Sequence, residues 1–255
     1  MATATSEKNR MLAFGEKLRE NPTTIWFSIL VLGSAILLAK LIGNKELEAG
    51  GSGHLGLTFR LLYKHHWKQF KLLNIAYSLF ANAAKIGAGN GQPSVRMAMG
   101  GVSMEKGDYK KASENYLEGF NLAKKQKDIN QAAFLQSHMG IAQVKLGELV
   151  EARKNLENAL AVLSKALVKD RNSLYLQVWI SNAEMGMSEW YLAAGDKKRA
   201  RIWADKAGSR ARKYELKTRQ QDVEKLIRKI AVAGISLIVT RFSHVGLLLN
   251  KVGVW

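Results

Sequence analysis

The chain has 255 residues, two prolines, no cysteine and a formal net charge of +18. That length can bury a medium-sized core, and the lack of cysteine excludes disulfides, thiolate metal sites and cysteine nucleophiles without naming a compartment. Long runs of Ala, Leu, Lys, Glu, Gln and Met, with no regular alternation of short strands and turns, predict an all-α fold.

Residues 1–22 form an N-terminal flank in which Glu7, Glu16 and Glu20 stand among the basic residues, which argues against a cleaved signal peptide. From Thr23 to Ile42 the sequence reads TTIWFSILVLGSAILLAKLI, an apolar run whose single charge, Lys40, lies near its end. Twenty helical residues span about 30 Å, the thickness of the hydrocarbon core, so 23–42 is expected to be a transmembrane helix with Trp26 and Phe27 at one interface. Residues 43–56 include AGGSGHLG, a composition expected of a flexible linker. Residues 57–229 then read as packed helices.

Within that stretch three segments align on a glycine, at Gly107, Gly147 and Gly195. Each has Met eight positions before it (Met99, Met139, Met187) and Ala five after it (Ala112, Ala152, Ala200). Gly100, Gly140 and Ser188 precede it by seven; Gly119, Ala159 and Ala207 follow by twelve. A glycine of this kind ends a helix in a left-handed cap, and small residues at fixed offsets let paired helices approach closely. Such self-similarity predicts stacked helical hairpins. Ser94, Asp128 or Asn130, and Asp170 or Asn172 are placed to begin helices.

These segments, GDYKKASENYLEGF above all, resemble the tetratricopeptide repeat (TPR) family, with Gly107, Tyr109, Ala112 and Tyr116 in the family's places. The third copy departs, with Lys197 and Ala204 where the family has aromatics. The glycines lie 40 and 48 residues apart, against about 34 for the family, so longer helices or loops must absorb the excess. A degenerate earlier copy has Leu73, Ala76, Phe80 and Ala83 in its second helix.

The resemblance implies an α-solenoid whose concave surface binds a partner. The family's groove positions fall on Met97, Gly101, Met104 and Glu105, then Phe134, Ser137, Ile141, Val144 and Lys145, then Asn182, Met185, Glu189 and Leu192. The Lys, Asn and Arg set that grips chaperone C-termini in some members is missing. The rather apolar lining suits a hydrophobic helix or a segment beside a membrane span.

Two basic clusters stand out. Lys64, Lys68 and Lys71 surround His65, His66 and Trp67, and thirteen basic against five acidic residues fall between Gly195 and Lys229, including Arg210, Arg212 and Lys213. Anionic lipid, nucleic acid, an acidic partner or a plainly solvated face each fit such charge.

No enzyme signature is found. The glycines of KIGAGNGQP follow a helical stretch with the wrong spacing for a dinucleotide loop, adjacent His65 and His66 diverge on a helix, and no triad or carboxylate pair stands in a workable frame. No cofactor or metal is expected. Residues 230–255, with IAVAGISLIVT followed by Arg241 and His244, are read as buried, interfacial or a second membrane segment.

The expectation is a single-pass, membrane-anchored TPR-like scaffold, assembly factor or accessory subunit of a membrane protein complex, acting through protein partners without enzymatic activity. The alternatives are a membrane-anchored receptor or tether for client proteins, like an organelle import receptor, and a basic adaptor for RNA or anionic lipid. A nucleic-acid partner is the less expected of these.

Overall fold

The computed structural model describes residues 25–65, 68–87 and 92–233. These residues form helices and no strand: α1 Ile25–Leu41, α2 Lys45–His65, α3 Phe70–Ile86, α4 Gln92–Lys106, α5 Tyr109–Lys125, α6 Ile129–Leu146, α7 Leu149–Lys169, α8 Leu174–Ala193, α9 Lys197–Lys213 and α10 at 217–233. The chain divides into two compact units, Met1–Leu135 and Gln136–Trp255, and the division falls within α6.

One turn, used repeatedly, makes the hairpins. At Gly107, Gly147 and Gly195 the backbone takes φ of +78°, +83° and +84°, the left-handed region that glycine enters without a Cβ penalty. The next amide reaches back over the helix end, Asp108 to the Ser103 carbonyl and Asp196 to that of Tyr191, which satisfies carbonyls the helix leaves open. The same aspartates then start the following helix, accepting from the Lys111 and Arg199 amides at 3.1 and 2.9 Å. The turn also occurs where no glycine advertises it, with Lys127 at φ +60° and Glu215 at +53°. Gly43 at +67° makes it once more, and Asn44 caps α2 through Leu47.

That last turn corrects the expected linker. Residues 43–56 are a tight turn followed by the first half of α2, not a tether. Gly51 and Gly56 are there for contact. A Cβ at Gly51 would sit 2.8 Å from Ile36 of α1, and one at Gly56 would sit 2.9 Å from the Phe80 ring of α3. Composition alone cannot separate a glycine that loosens a chain from one that lets two helices touch.

In unit 1 the helices pack in succession, α1 on α2, α2 on α3, α3 on α4 and α4 on α5. Leu73, Ala76 and Phe80 form a core with Ala98, Met99 and Val102. Leu73, Ala76, Phe80 and Ala83 are all buried, as the degenerate copy requires. In unit 2, α7 packs on α8 and α8 on α9, with Val144, Ala152, Leu156 and Met187 at the centre. Helix α10 closes the end, Leu226 and Ile230 covering Ala200 and Ala204.

The repeat has a shared packing rule. The small residue seven before the turn receives the residue nine after it: Gly100 takes Tyr116, and Gly140 takes Leu156. The third copy changes both sides together. Ser188 replaces the glycine, Ala204 replaces the large residue, and the Ser188 hydroxyl donates to the Ala200 carbonyl at 2.7 Å. The extra length over the family's repeat goes into helices, α7 and α8 having 21 and 20 residues.

Helix α1 has 17 described residues, and among the described residues no helix is long and apolar enough to cross a membrane. Residues 1–24, 66–67, 88–91 and 234–255 lie outside the described residues. The N-terminal flank, His66, Trp67, the centre of KIGAGNGQP and most of the apolar C-terminal segment therefore fall outside them; residues 230–233 belong to α10.

Candidate functional site

Unit 1 contains a cavity of about 490 Å³ between α2, α3 and α4. One face of α2 forms its floor, with Ala49, Gly50, Gly53, His54, Leu57 and Arg60 following a helical repeat. Phe80 and Ala83 of α3 and Val95, Met97 and Ala98 of α4 make the walls. The space reaches the helix backbone, since a Cβ at Gly53 would meet nothing within 4 Å. Apart from His54 in the floor, the polar groups stand towards the ends of this mostly apolar body. Gln92, at the start of α4, donates to the carbonyls of Ala84 and Gly87 and ties α4 to the end of α3. At the other end, Arg60 grips Glu105 through Nε (3.1 Å) and Nη2 (2.9 Å), and Lys64 stands 3.6 Å from the same carboxylate. Gly101 makes this clamp possible, because any side chain there would run into the guanidinium, with Cζ 2.8 Å from the Cβ position.

Of the groove positions implied by the family in unit 1, Met97 lines this cavity, Gly101 and Glu105 hold Arg60, Met104 is half-buried and Phe134 is buried. The rest of the cavity was not legible, because Gly50, Gly53, His54, Leu57 and Arg60 sit in or beside the presumed linker. One signal was present: Ala49 and Gly53 are small residues four apart, and Gly56 follows on the adjoining face.

In unit 2 the implied groove is less apolar and less open. Val144 is buried and Ile141 half-buried in the core with Leu156 and Met187. Met185 and Leu192 are half-buried and pack against the cluster of Ala200, Ala204, Leu226 and Ile230. Lys145 and Glu189 form an ion pair, and Asn182 donates to Ser137 at 3.3 Å. Lys229 joins that charged set, and loss of hydration together with the neighbouring Lys145 lowers its ammonium pKa.

The basic surface also separates into different roles. Arg210 is not a free surface cation. Its guanidinium makes two bonds to the wholly buried Glu184, at 3.0 and 2.9 Å, and a third to the Gln177 side chain at 2.6 Å. A buried carboxylate needs such a partner, so the arginine sits between α8 and α9 as a structural ion. Arg212 and Lys213 are exposed, the latter over the Tyr214 ring. Lys68 lies over Tyr63 and Lys71 is exposed. Among the described residues no group of histidines and carboxylates is placed to hold a metal ion.

Similar folds recur in solved structures. A candidate kinesin light chain of Podosopora anserina with nearly identical TPR-like repeats superposes with a TM-score of 0.61 at 13% identity, over 82% of this chain and 97% of that one. The fold is TPR-like. The apo form of RapI gives 0.61 at 15% identity over 97% and 92% of the two chains, and BtubC of P. vanneervenii gives 0.50 at 15% over 82% and 90%. No family model matches the chain, and no curated protein matches its sequence. Identity this low speaks for the shared helical architecture alone.

Proposed function

We propose that this chain is a membrane-associated, TPR-like interaction scaffold, an accessory or assembly subunit that holds an apolar segment of a protein partner against unit 1. The observation that carries the reading is the cavity between α2, α3 and α4. It is apolar in its body and polar at its ends, and it is open at a glycine floor where a side chain would fit without a clash. Protein recognition by helix grooves rests on such apolar slots with polar rims. The membrane part of the reading is supported by the large apolar side chains that α1 exposes, Phe27, Leu30, Leu37 and Leu41 among them, because a stripe of that kind is a liability in water unless something covers it.

The test is a photo-crosslinking residue at Met97, in native membranes, with mass spectrometry of the adducts. A defined membrane-complex subunit is expected, and its yield should fall at least tenfold in the Gly53→Leu background, which fills the cavity. Equal capture with and without Gly53→Leu, or equal capture from the exposed position Lys154, refutes the site.

A further inference from the structure

The run from Thr23 to Ile42 looks like a span because it is apolar on every side, yet the folded hairpin gives its two sides different neighbours. Ser28, Leu32, Ala35 and Ala39 are fully buried. At one end of the hairpin Ser28 and Thr58 hydroxyls lie 3.2 Å apart, and Ile29 packs on Leu62 and Leu72. Midway, Ile36 presses on Gly51. At the other end Asn44 returns its amide to the Ala39 carbonyl at 2.8 Å. The opposite stripe, at the helical spacing of Phe27, Leu30, Ser34, Leu37 and Leu41, is exposed; Leu30, Leu37 and Leu41 are 66%, 62% and 76% accessible.

Helix α2 accompanies α1 along this whole length and carries Lys45, Glu46, Glu48, Arg60 and Lys64. Those ions stand at the two ends of the hairpin, but a span by α1 with the hairpin closed would carry α2 into hydrocarbon together with α3 and α4, which pack on it. Arg60 would also draw in Glu105 and α4. The outer stripe alone is free to meet lipid. At the turn end of the hairpin Lys45 is paired with Glu48, while Lys40 is exposed and, on a chain of net charge +18, complements anionic headgroups.

We infer that α1 lies in the plane of an anionic bilayer surface, its outer stripe among the upper acyl carbons, and that the closed α1–α2 hairpin holds unit 1 against the membrane without a tether. This rests on the membrane association proposed above and changes its geometry from a span to a surface contact.

The chain has no cysteine, so single labels need no background removal. The full chain is mixed with vesicles containing phosphatidylserine or only zwitterionic lipid. An environment-sensitive dye at Ser34→Cys reports depth through brominated lipids, and a Ser28→Cys/Thr58→Cys disulfide locks the hairpin. The expected results are at least tenfold tighter binding to anionic vesicles, quenching strongest from shallow bromines, affinity within twofold in the locked form, and at least a tenfold loss in Leu30→Gln/Leu37→Gln/Leu41→Gln. Failure of the unmodified chain to bind any vesicle sinks the membrane association itself. Binding with deepest quenching at mid-bilayer, or binding abolished by the lock, leaves that association standing and overturns the in-plane geometry. A lipid-free dimer that the triple variant dissolves overturns it too, by assigning the stripe to a second copy.

Discussion

The glycines of α2 and α4 support a sharp comparison, Gly53→Ala against Gly100→Ala. Both are interior helical positions, where replacing glycine by alanine stabilises the helix by about 0.5–1 kcal/mol. At Gly53 the new methyl meets nothing within 4 Å, so the full gain is expected. At Gly100 it overlaps the Tyr116 ring, with Cδ1 at 2.7 Å. Tyr116 is 2% exposed and cannot swing away, and overpacking of that kind costs about 1–3 kcal/mol. The two variants should therefore differ by about 1–3 kcal/mol, or several degrees in Tm at ~2–4 °C per kcal/mol for chains of this size. Adding Tyr116→Leu to Gly100→Ala should recover part of the loss, because the second repeat already pairs its glycine with Leu156. Thermal and urea unfolding of the three variants measure this directly. Equal midpoints for Gly53→Ala and Gly100→Ala, or a destabilised Gly53→Ala, would refute the argument that these glycines differ by what lies above them.

Other outcomes follow from the turns and the buried ions. Lys127→Gly should stabilise the fold by about 0.5–1 kcal/mol, since a side chain in the left-handed region costs about 1–2 kcal/mol and glycine's extra freedom when unfolded offsets part of that; Glu215→Gly should act the same way, both read by urea midpoint. Arg210→Ala removes both guanidinium bonds to the buried Glu184, leaving it only the Lys206 ammonium at 3.7 Å, and should cost up to about 3–5 kcal/mol, whereas Arg212→Ala, two residues on and exposed, should stay within about 0.5 kcal/mol. Comparable effects of the two arginines on stability would return Arg210 to the surface. In binding to polyanions the order should reverse, with Arg212→Ala and Lys213→Ala reducing affinity while the folded fraction stays constant.

The sequence by itself determined what depends on neighbours along the chain. Helical class follows from residue propensity. The turns at Gly107, Gly147 and Gly195 follow from the one residue that enters the left-handed region freely, and the hairpin pairing follows from small residues at fixed offsets from it. The turns at Lys127 and Glu215 gave no such sign, because there a residue other than glycine takes the left-handed position while the same local bonds form, Asp128 to the Ala123 carbonyl and Leu216 to that of Ala211.

Only the folded structure decided what each face meets. Gly51, Gly53 and Gly56 share one composition, yet one touches Ile36, one opens a cavity and one seats Phe80. Arg210 and Arg212 share one charge, yet only the first reaches a buried carboxylate. Helix α1 is apolar on all sides, yet one side is packed on α2 and the other is exposed. Hydropathy adds the two together and cannot tell them apart. The physical reason is that burial and ion pairing belong to pairs of surfaces distant in sequence, and a linear pattern records only one member of each pair.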